Sequence, residues 1–200
     1  MDTKSRPFPQ KTVGILGGMS DKATSAYYSK LNAAVNGKQG GWDIAEILIQ
    51  SVNFGNIEYW VRNNLWEDAR KYLLNKAVLA EKGGADLIVC ASNTMHKVLT
   101  DISDVISIPF LHIAHPVGVK LQSMGLKKVG LLGTLPVMSQ GYIQDYLLEH
   151  FEIEVIVPNA GDQKVIDQII FDELVKDILT DSSKKTYCEI SSKLQMSGAE

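Results

Sequence analysis

Short apolar runs alternate along the chain with longer stretches in which apolar residues recur every three or four positions. The runs predict strands over Val13–Gly17, Ile44–Val52, Leu87–Ala91 and Ile108–Ile113. The periodic stretches predict helices from Ser20 to about Gly37, from Leu65 to a stop at Gly83-Gly84, from Ser92 or Asn93 to about Thr100, and from Pro116 to near Gly125. This alternation predicts parallel strands joined by crossover helices, in a doubly wound α/β fold.

The first strand and its glycine turn return in the second half of the chain. Val13–Gly18 is repeated as Val129–Thr134, and the strand at Ile47–Val52 has a counterpart at Ile153–Val157. Further helices are then predicted over Val165–Leu179 and Ser183–Met196. The repeat predicts a duplicated architecture with one α/β domain over 1–115 and a second over 116–200.

The repeat also bears on the end of the second domain. In the first half Gly84-Ala85-Asp86 leads into the strand Leu87–Ala91, and its counterpart is Gly198-Ala199-Glu200. A further buried strand is therefore expected after Glu200, which makes the second domain incomplete at its C-terminal end. Such a sheet would expose an edge, and exposed edges invite association. We expect a homodimer that covers the gap, or low stability.

Composition narrows the classes of function. Of the 200 residues 45% are hydrophobic and 22% are charged, and the net charge is −3 without a long basic run, so nothing favours nucleic acid or an anionic membrane as a partner. The first apolar stretch, Val13–Met19, is too short to span a bilayer. With only two cysteines, a framework of disulfide bonds is not expected. We therefore expect a cytoplasmic location.

Gly14–Ser20 is the first candidate site. Glycines at the end of a strand let a ligand approach the backbone, and the following helix presents free N–H groups to an anion. The alternative is a glycine turn needed only for packing. The spacing is not G-x-G-x-x-G, so a nucleotide-binding Rossmann protein is only weakly supported.

Ser92–His96 is the second candidate. The Ser92 and Thr94 hydroxyls, the Asn93 amide and nearby helix N–H groups could hold a carboxylate, although an ordinary N-cap cluster explains the pattern as well. His96 alone is more typical of a structural histidine than of a catalyst.

The second half offers weaker candidates. Thr134, with Ser139 close by, stands where the repeat places Gly18, and Lys164 begins a helix from which it could meet a substrate carboxylate. Cys90, next to the end of a buried strand, is expected to be an inert thiol, and Cys188 is expected to pack within a helix.

Together these segments resemble the aspartate/glutamate racemase family, in the branch with Gly-Gly-Met-Ser and Asn-Thr-Met-His motifs. The matching stretches, in order, are GILGGMS (14–20), QSVNF (50–54), SNTMHK (92–97), IPFLHIA (108–114), VGLLGT (129–134) and QIIFDEL (168–174). The resemblance implies two similar Rossmann-like α/β domains with parallel sheets facing each other across a cleft. It also implies inversion of the α-carbon of an acidic amino acid by two cysteines, with no pyridoxal phosphate, no other cofactor and no metal.

The resemblance assigns roles to individual residues. Ser92 stands in the place of the first catalytic cysteine, and the second is expected shortly after Glu200. An alcohol is a much weaker acid than a thiol, so Ser92 would need a relay or a water to accept the α-proton. The implied substrate-binding residues are Met19, Ser20, Gln50, Asn53, Asn93, Thr94, Thr134 and Lys164.

Two hypotheses follow. The first is a racemase of aspartate or glutamate that works by two-base proton transfer with Ser92 on one face. The second is a catalytically impaired homologue that binds acidic amino acids or dicarboxylates, because the 200 residues lack both family cysteines.

Overall fold

A computed structural model describes residues 8–200, which divide into two compact units with the boundary between His112 and Ile113. The first unit holds four parallel strands in the order β2-β1-β3-β4. Their bounds are β1 Val13–Gly17, β2 Ile47–Ser51, β3 Leu87–Cys90 and β4 Phe110–Leu111. The predicted α/β class with parallel strands is confirmed. The division into domains 1–115 and 116–200 stays a prediction.

Among residues 8–112, the α-helices of the first unit are α1 Asp21–Gln39, α2 Phe54–Arg62 and α3 Trp66–Lys82. Helix α3 contributes to the core of this unit. Its buried residues recur at helical spacing and pack against one face of the sheet; they are Ala69, Leu73, Leu74, Ala77 and Ala80. It ends at Gly83 as predicted, and Gly84 takes the positive φ of +95° that follows.

The second unit contains two parallel strands, β5 Lys128–Gly130 and β6 Glu154–Ile156. Its helices are α4 Ala114–Ser123, α5 Leu135–Ser139, α6 Tyr142–Phe151, α7 Ala160–Asp172 and α8 Asp181–Met196. One small core lies around Ile153 and Phe151, and another lies around Met138 and Ile166.

Several predicted bounds were wrong. Helix α1 continues past Gly37 and ends at Gly40, whose φ is +73°. Helix α2 was not predicted, and the fourth strand is only two residues long. Helix α7 starts earlier than Val165, because the Asn159 side chain caps it by accepting from the Gly161 and Asp162 N–H groups.

The predicted helix after Ser92 is instead a pair of 3₁₀ turns, Thr94–Val98 and Ile102–Asp104. In an α-helix the His96 N–H would donate to the Ser92 carbonyl. Here that carbonyl is 2.7 Å from His96 Nδ1, and the His96 N–H donates to the Asn93 carbonyl at 3.2 Å. At the Ser92 carbonyl, the His96 imidazole thus takes the place that the His96 backbone N–H would have in an α-helix. This favours the tighter 3₁₀ turn.

The internal repeat extends to individual hydrogen bonds. The Asp86 N–H donates to the Thr12 carbonyl at 2.8 Å, and the Asp86 carboxylate accepts from the Thr12 N–H at 2.8 Å. In the second unit the Glu200 N–H donates to the Lys128 carbonyl at 2.8 Å, while its carboxylate accepts from the Lys127 and Lys128 N–H groups. The same helix-to-strand turn is therefore built twice.

Candidate functional site

The candidate residues of the first unit lie at one edge of its sheet. Gly17 pairs with Ser51, and Leu16 pairs with Cys90, so β1, β2 and β3 end side by side. The segments that follow these ends meet at the same edge because the strands are parallel. The structure thus brings together the glycine turn, the start of α2 and the Ser92–Thr94 segment.

The glycine turn is held by Thr24, a buried residue of α1. The Gly18 N–H donates to Thr24 Oγ1 at 2.7 Å, and the Thr24 hydroxyl donates to the Ser20 carbonyl at 2.8 Å. Gly18 has a φ of +86°, and a Cβ there would lie 2.3 Å from the Val52 carbonyl oxygen. The Gly18 N–H is thus paired within the protein, and these contacts account for the glycine turn through packing, the alternative that the sequence left open.

Met19 and Ser20 have structural contacts of their own. Met19 is buried, with 9% of its surface exposed, and belongs to the core of the first unit. Ser20 caps α1, its hydroxyl accepting from the Ala23 N–H at 3.4 Å. The start of the helix that was predicted at Ser20 therefore agrees with the structure to within one residue.

Gln50 and Asn53 lie on either side of the end of β2. Gln50 is half-buried in the strand, opposite Leu16. Asn53 is exposed and caps α2, its Oδ1 accepting from the Gly55 N–H at 3.0 Å. Capping therefore accounts for Asn53 without a ligand, whereas Gln50 is the next-to-last residue of β2.

The Ser92–Thr94 segment follows β3 and carries three small polar side chains. Ser92 and Thr94 are half-buried, and Asn93 is exposed. Asn93 precedes the 3₁₀ turn in αR conformation, and its side chain makes no capping hydrogen bond. The N-cap interpretation thus loses its support at Asn93. The segment presents an amide and two hydroxyls, groups that can bind a carboxylate.

His96 lies behind this segment and is 1% exposed. Burial lowers the pKa of its imidazole to about 4, a shift that the hydrogen bond with the Ser92 carbonyl only partly opposes. Its ring centroid is 4.6 Å from that of His112 and 5.5 Å from that of Phe110. At neutral pH His96 is therefore uncharged and closely packed against the end of β4.

The rest of the 3₁₀ segment is anchored to α3. Lys97 Nζ lies 3.7 Å from the centroid of the Trp66 ring, in cation–π contact. Asp101 forms an ion pair with Arg70. The segment after Ser92 is thus held at several points.

The two cysteines differ in environment. Cys90 is 1% exposed, and burial raises the pKa of its thiol to about 12, so it stays protonated at neutral pH. It donates weakly to the Ser92 carbonyl, with Sγ 3.8 Å from the oxygen. Cys188 is exposed on α8, so the prediction that it packs in the helix was wrong. It lies in the part of α8 that faces solvent.

In the second unit, Thr134 is half-buried and precedes α5, as the repeat with Gly18 predicts. Its hydroxyl makes no capping bond; instead the Leu135 N–H donates to Asp167 Oδ1 at 2.6 Å. Ser139 is exposed and donates to the Leu135 carbonyl. Lys164 is exposed within α7 and does not begin that helix.

Thr24 and Asp167 were missed by the sequence analysis. Thr24 follows Ser20 by four residues, a spacing that could have indicated a hydroxyl bonded to the Ser20 carbonyl. Asp167 is separated from Leu135 by 32 residues, so no local pattern pointed to it. Both hold backbone groups beside candidate site residues.

Within residues 8–200, no group of three or more histidine, cysteine, aspartate or glutamate side chains is arranged to hold a metal ion. Across the same residues, every helix is too short or too polar to cross a membrane.

Comparisons with known proteins agree with the sequence resemblance. The family model described as Asp/Glu/hydantoin racemase matches residues 16–200. The broad specificity amino-acid racemase RacX of Bacillus subtilis is 30% identical over 161 residues, which are 79% of this chain and 69% of that protein.

Two solved structures share the fold over nearly the whole chain. The crystal structure of a candidate Asp/Glu racemase from Yersinia pestis is 37% identical with a TM-score of 0.87, covering 95% of this chain and 83% of that one. An aspartate racemase homologue from Pyrococcus horikoshii is 31% identical with a TM-score of 0.76, covering 96% of this chain and 83% of that one.

Proposed function

The chain belongs to the Asp/Glu/hydantoin racemase family, and from this we propose that it inverts the α-carbon of an acidic amino acid, aspartate or glutamate, without pyridoxal phosphate. The observation that carries the proposal is the Ser92–Thr94 segment, set beside the glycine turn at the carboxyl edge of the sheet. In α/β folds that edge is where ligands bind.

In this proposal Ser92 is the catalytic residue on one face of the substrate. It stands where the family resemblance expects a cysteine, and Cys90 does not replace it because that thiol is buried and stays protonated at neutral pH. A serine hydroxyl accepts the α-proton poorly by itself, so a water or a neighbouring group relays the proton. Transfer on the opposite face requires a second acid or base.

The remaining contacts are assigned by chemistry. The Asn93 amide and Thr94 hydroxyl bind the α-carboxylate, and Gln50 borders the substrate at the end of β2. Ser20, Asn53 and Met19 contribute more by holding the backbone, since two of them cap helices and the third is buried. Substrate contacts by Thr134 and Lys164 rest on the repeat and the resemblance, and they stay predictions. So do two-base transfer, a homodimer and a cytoplasmic location.

Chiral chromatography of single enantiomers tests the substrate class. We expect aspartate or glutamate to be racemised with a higher kcat/KM than neutral amino acids such as alanine and leucine. RacX is a broad specificity racemase, so a neutral panel is the necessary comparison. Racemisation of neutral amino acids alone would show that the acidic specificity is wrong.

A non-catalytic binder is the second candidate. It is favoured by the environment of the cysteines, since Cys90 is buried and Cys188 lies on the exposed side of α8. Titration calorimetry with aspartate, glutamate and citrate separates the two functions. Binding without racemisation identifies a binder, whereas binding with turnover identifies an enzyme. Absence of binding by all three removes the binder.

A further inference from the structure

Two buried side chains converge on the backbone carbonyl of Ser92. His96 Nδ1 lies 2.7 Å from this oxygen, and Cys90 Sγ lies 3.8 Å from it. Both residues are 1% exposed. The carbonyl belongs to the residue proposed to transfer the proton, so a group that fixes this carbonyl also fixes the backbone that carries the Ser92 side chain.

The protonation of His96 follows from its partner. A carbonyl oxygen only accepts, so the short contact requires a proton on Nδ1. Burial keeps the ring neutral, which makes Nδ1–H the form present at neutral pH. The ring packs on His112 and Phe110 at the end of β4, which limits its rotation.

We propose that His96 is a positioning residue: its Nδ1–H holds the Ser92 carbonyl and thereby sets where the Ser92 hydroxyl and the Asn93 and Thr94 groups meet the substrate. This inference rests on the proposed racemase function. It assigns His96 no contact with the reacting atoms. Because the imidazole replaces the His96 backbone amide at this carbonyl, its loss frees the segment to take a different turn.

Two substitutions of His96 distinguish the effect of its hydrogen bond to Ser92 from the effect of its packing. His96→Leu fills much of the space but removes the donor. His96→Asn places an amide Nδ2–H the same number of bonds from the backbone as Nδ1, so it can still donate to the Ser92 carbonyl. Misplacement of a catalytic group by about 1 Å costs on the order of 10²-fold in rate. We therefore expect His96→Leu to lower kcat roughly 10- to 100-fold with KM changed less than about threefold, and His96→Asn to restore most of the loss.

Lys97→Met is the matched control, because it removes the charge over the Trp66 ring on the same segment without touching Ser92. Its kcat should stay within about threefold of the original chain. An equal loss in Lys97→Met and His96→Leu, or no rescue by His96→Asn, would show that general loosening of the segment is responsible. Thermal unfolding of each variant establishes that it is folded at the assay temperature.

Nuclear magnetic resonance separates failure of this inference from failure of the proposed function. In the unsubstituted chain, the ¹⁵N spectrum of His96 should show the Nδ1–H form, and the Ser92 carbonyl ¹³C shift should move in His96→Leu and largely return in His96→Asn. If the chain racemises nothing, the function is wrong but these shifts still report whether His96 holds Ser92. An Nε2–H form, or an unchanged Ser92 shift in His96→Leu, would overturn the positioning role.

Discussion

At the scale of single residues, the chemistry of the proposed site depends on one oxygen atom in place of a sulfur atom. Ser92 has a hydroxyl just after the end of β3. The nearby Cys90 thiol is buried in the core, and burial raises its pKa to about 12. Proton transfer at an amino-acid α-carbon requires a base matched to a weak carbon acid. The identity of residue 92 should therefore control the rate more than the surrounding binding groups do.

Substitution of Ser92 tests this dependence. Ser92→Ala removes the proton carrier and should lower kcat for aspartate or glutamate by about 10²-fold or more. Ser92→Cys should raise kcat at least about tenfold, because a thiol with an ordinary pKa near 8.5 is partly ionised at pH 8. The rates are measured by chiral chromatography, with Ser182→Ala on the exposed start of α8 as the control. An unchanged rate in Ser92→Ala would exclude Ser92 from proton transfer.

The buried His96 makes folding stability dependent on pH. Its pKa falls from 6.5 in the unfolded chain to about 4 in the fold, chiefly because of burial, so between these values the unfolded chain binds a proton that the folded chain does not. This contribution to the free energy of unfolding is complete above pH 6.5 and decreases as the pH falls towards 4, by up to about 3 kcal/mol. The His112 and Phe110 rings pack against the imidazole, and its Nδ1 lies at the same Ser92 carbonyl oxygen as the Cys90 thiol.

Urea unfolding at several pH values measures this slope. His96→Leu should flatten the change between pH 6.5 and 4, because it removes the group that titrates. The same slope in His96→Leu and in the original chain would contradict the assignment.

Residue types at strand ends could be predicted, whereas their hydrogen-bond partners could not. Ser92 and the glycine turn both follow apolar runs, and their position after a predicted strand made them candidate site residues. The pairing of Gly18 with Thr24 and of Leu135 with Asp167 depends on tertiary packing. Sequence also left Asn53 as a ligand candidate, although its side chain is occupied by capping α2.

At the scale of elements, the turn from β1 to α1 is the most constrained connection of the site. Gly18 combines a positive φ with a contact in which Val52 leaves no room for a Cβ. Thr24 then ties the turn to the first helical residues. These contacts make the turn rigid, and they explain two glycines in succession without an anion.

Two alanine substitutions in the same region should have opposite effects. Gly18→Ala should lower the free energy of unfolding by at least about 2 kcal/mol, because of its φ of +86° and the approach of the Val52 carbonyl. Gly37→Ala lies inside α1 with no atom within 4 Å of the added Cβ, so it should raise the free energy by about 0.5–1 kcal/mol. Guanidinium unfolding measures both. A neutral Gly18→Ala would show that the turn can relax.

Strands and long helices followed from periodicity, since apolar runs and helical spacing reflect burial directly. The 3₁₀ segment after Ser92 did not, because its geometry is set by the His96 ring displacing a backbone bond. Helix α2 escaped prediction because it is short, with one fully buried residue, Ile57.

At the scale of the whole molecule, the duplication is present in the structure as well as in the sequence. The carboxylates of Asp86 and Glu200 accept N–H groups at equivalent places, and in each case these bonds are the main reason that the pKa of the carboxyl is lowered. In the first unit β1 lies between β2 and β3. In the second unit, within residues 8–200, β5 pairs with β6 alone.

Glu200 bonds the Lys128 N–H and carbonyl of β5, but within residues 8–200 no strand pairs with β5 opposite β6, and such an edge favours association. We expect a homodimer in solution, with a sedimenting mass about twice the 22.0 kDa of the chain. Analytical ultracentrifugation over a wide range of concentrations provides the measurement. A single species with the mass of one chain at every concentration would contradict the prediction.

Exchange of the α-proton in deuterated water tests the proposed racemisation at the reacting bond itself. The protein is incubated separately with L- and D-aspartate and L- and D-glutamate, and the α-proton signal is followed by nuclear magnetic resonance. The proposal predicts that deuterium enters the α-position of an acidic amino acid at a rate that falls in Ser92→Ala. Retention of the α-proton in all four substrates, with protein shown to be folded, would contradict it.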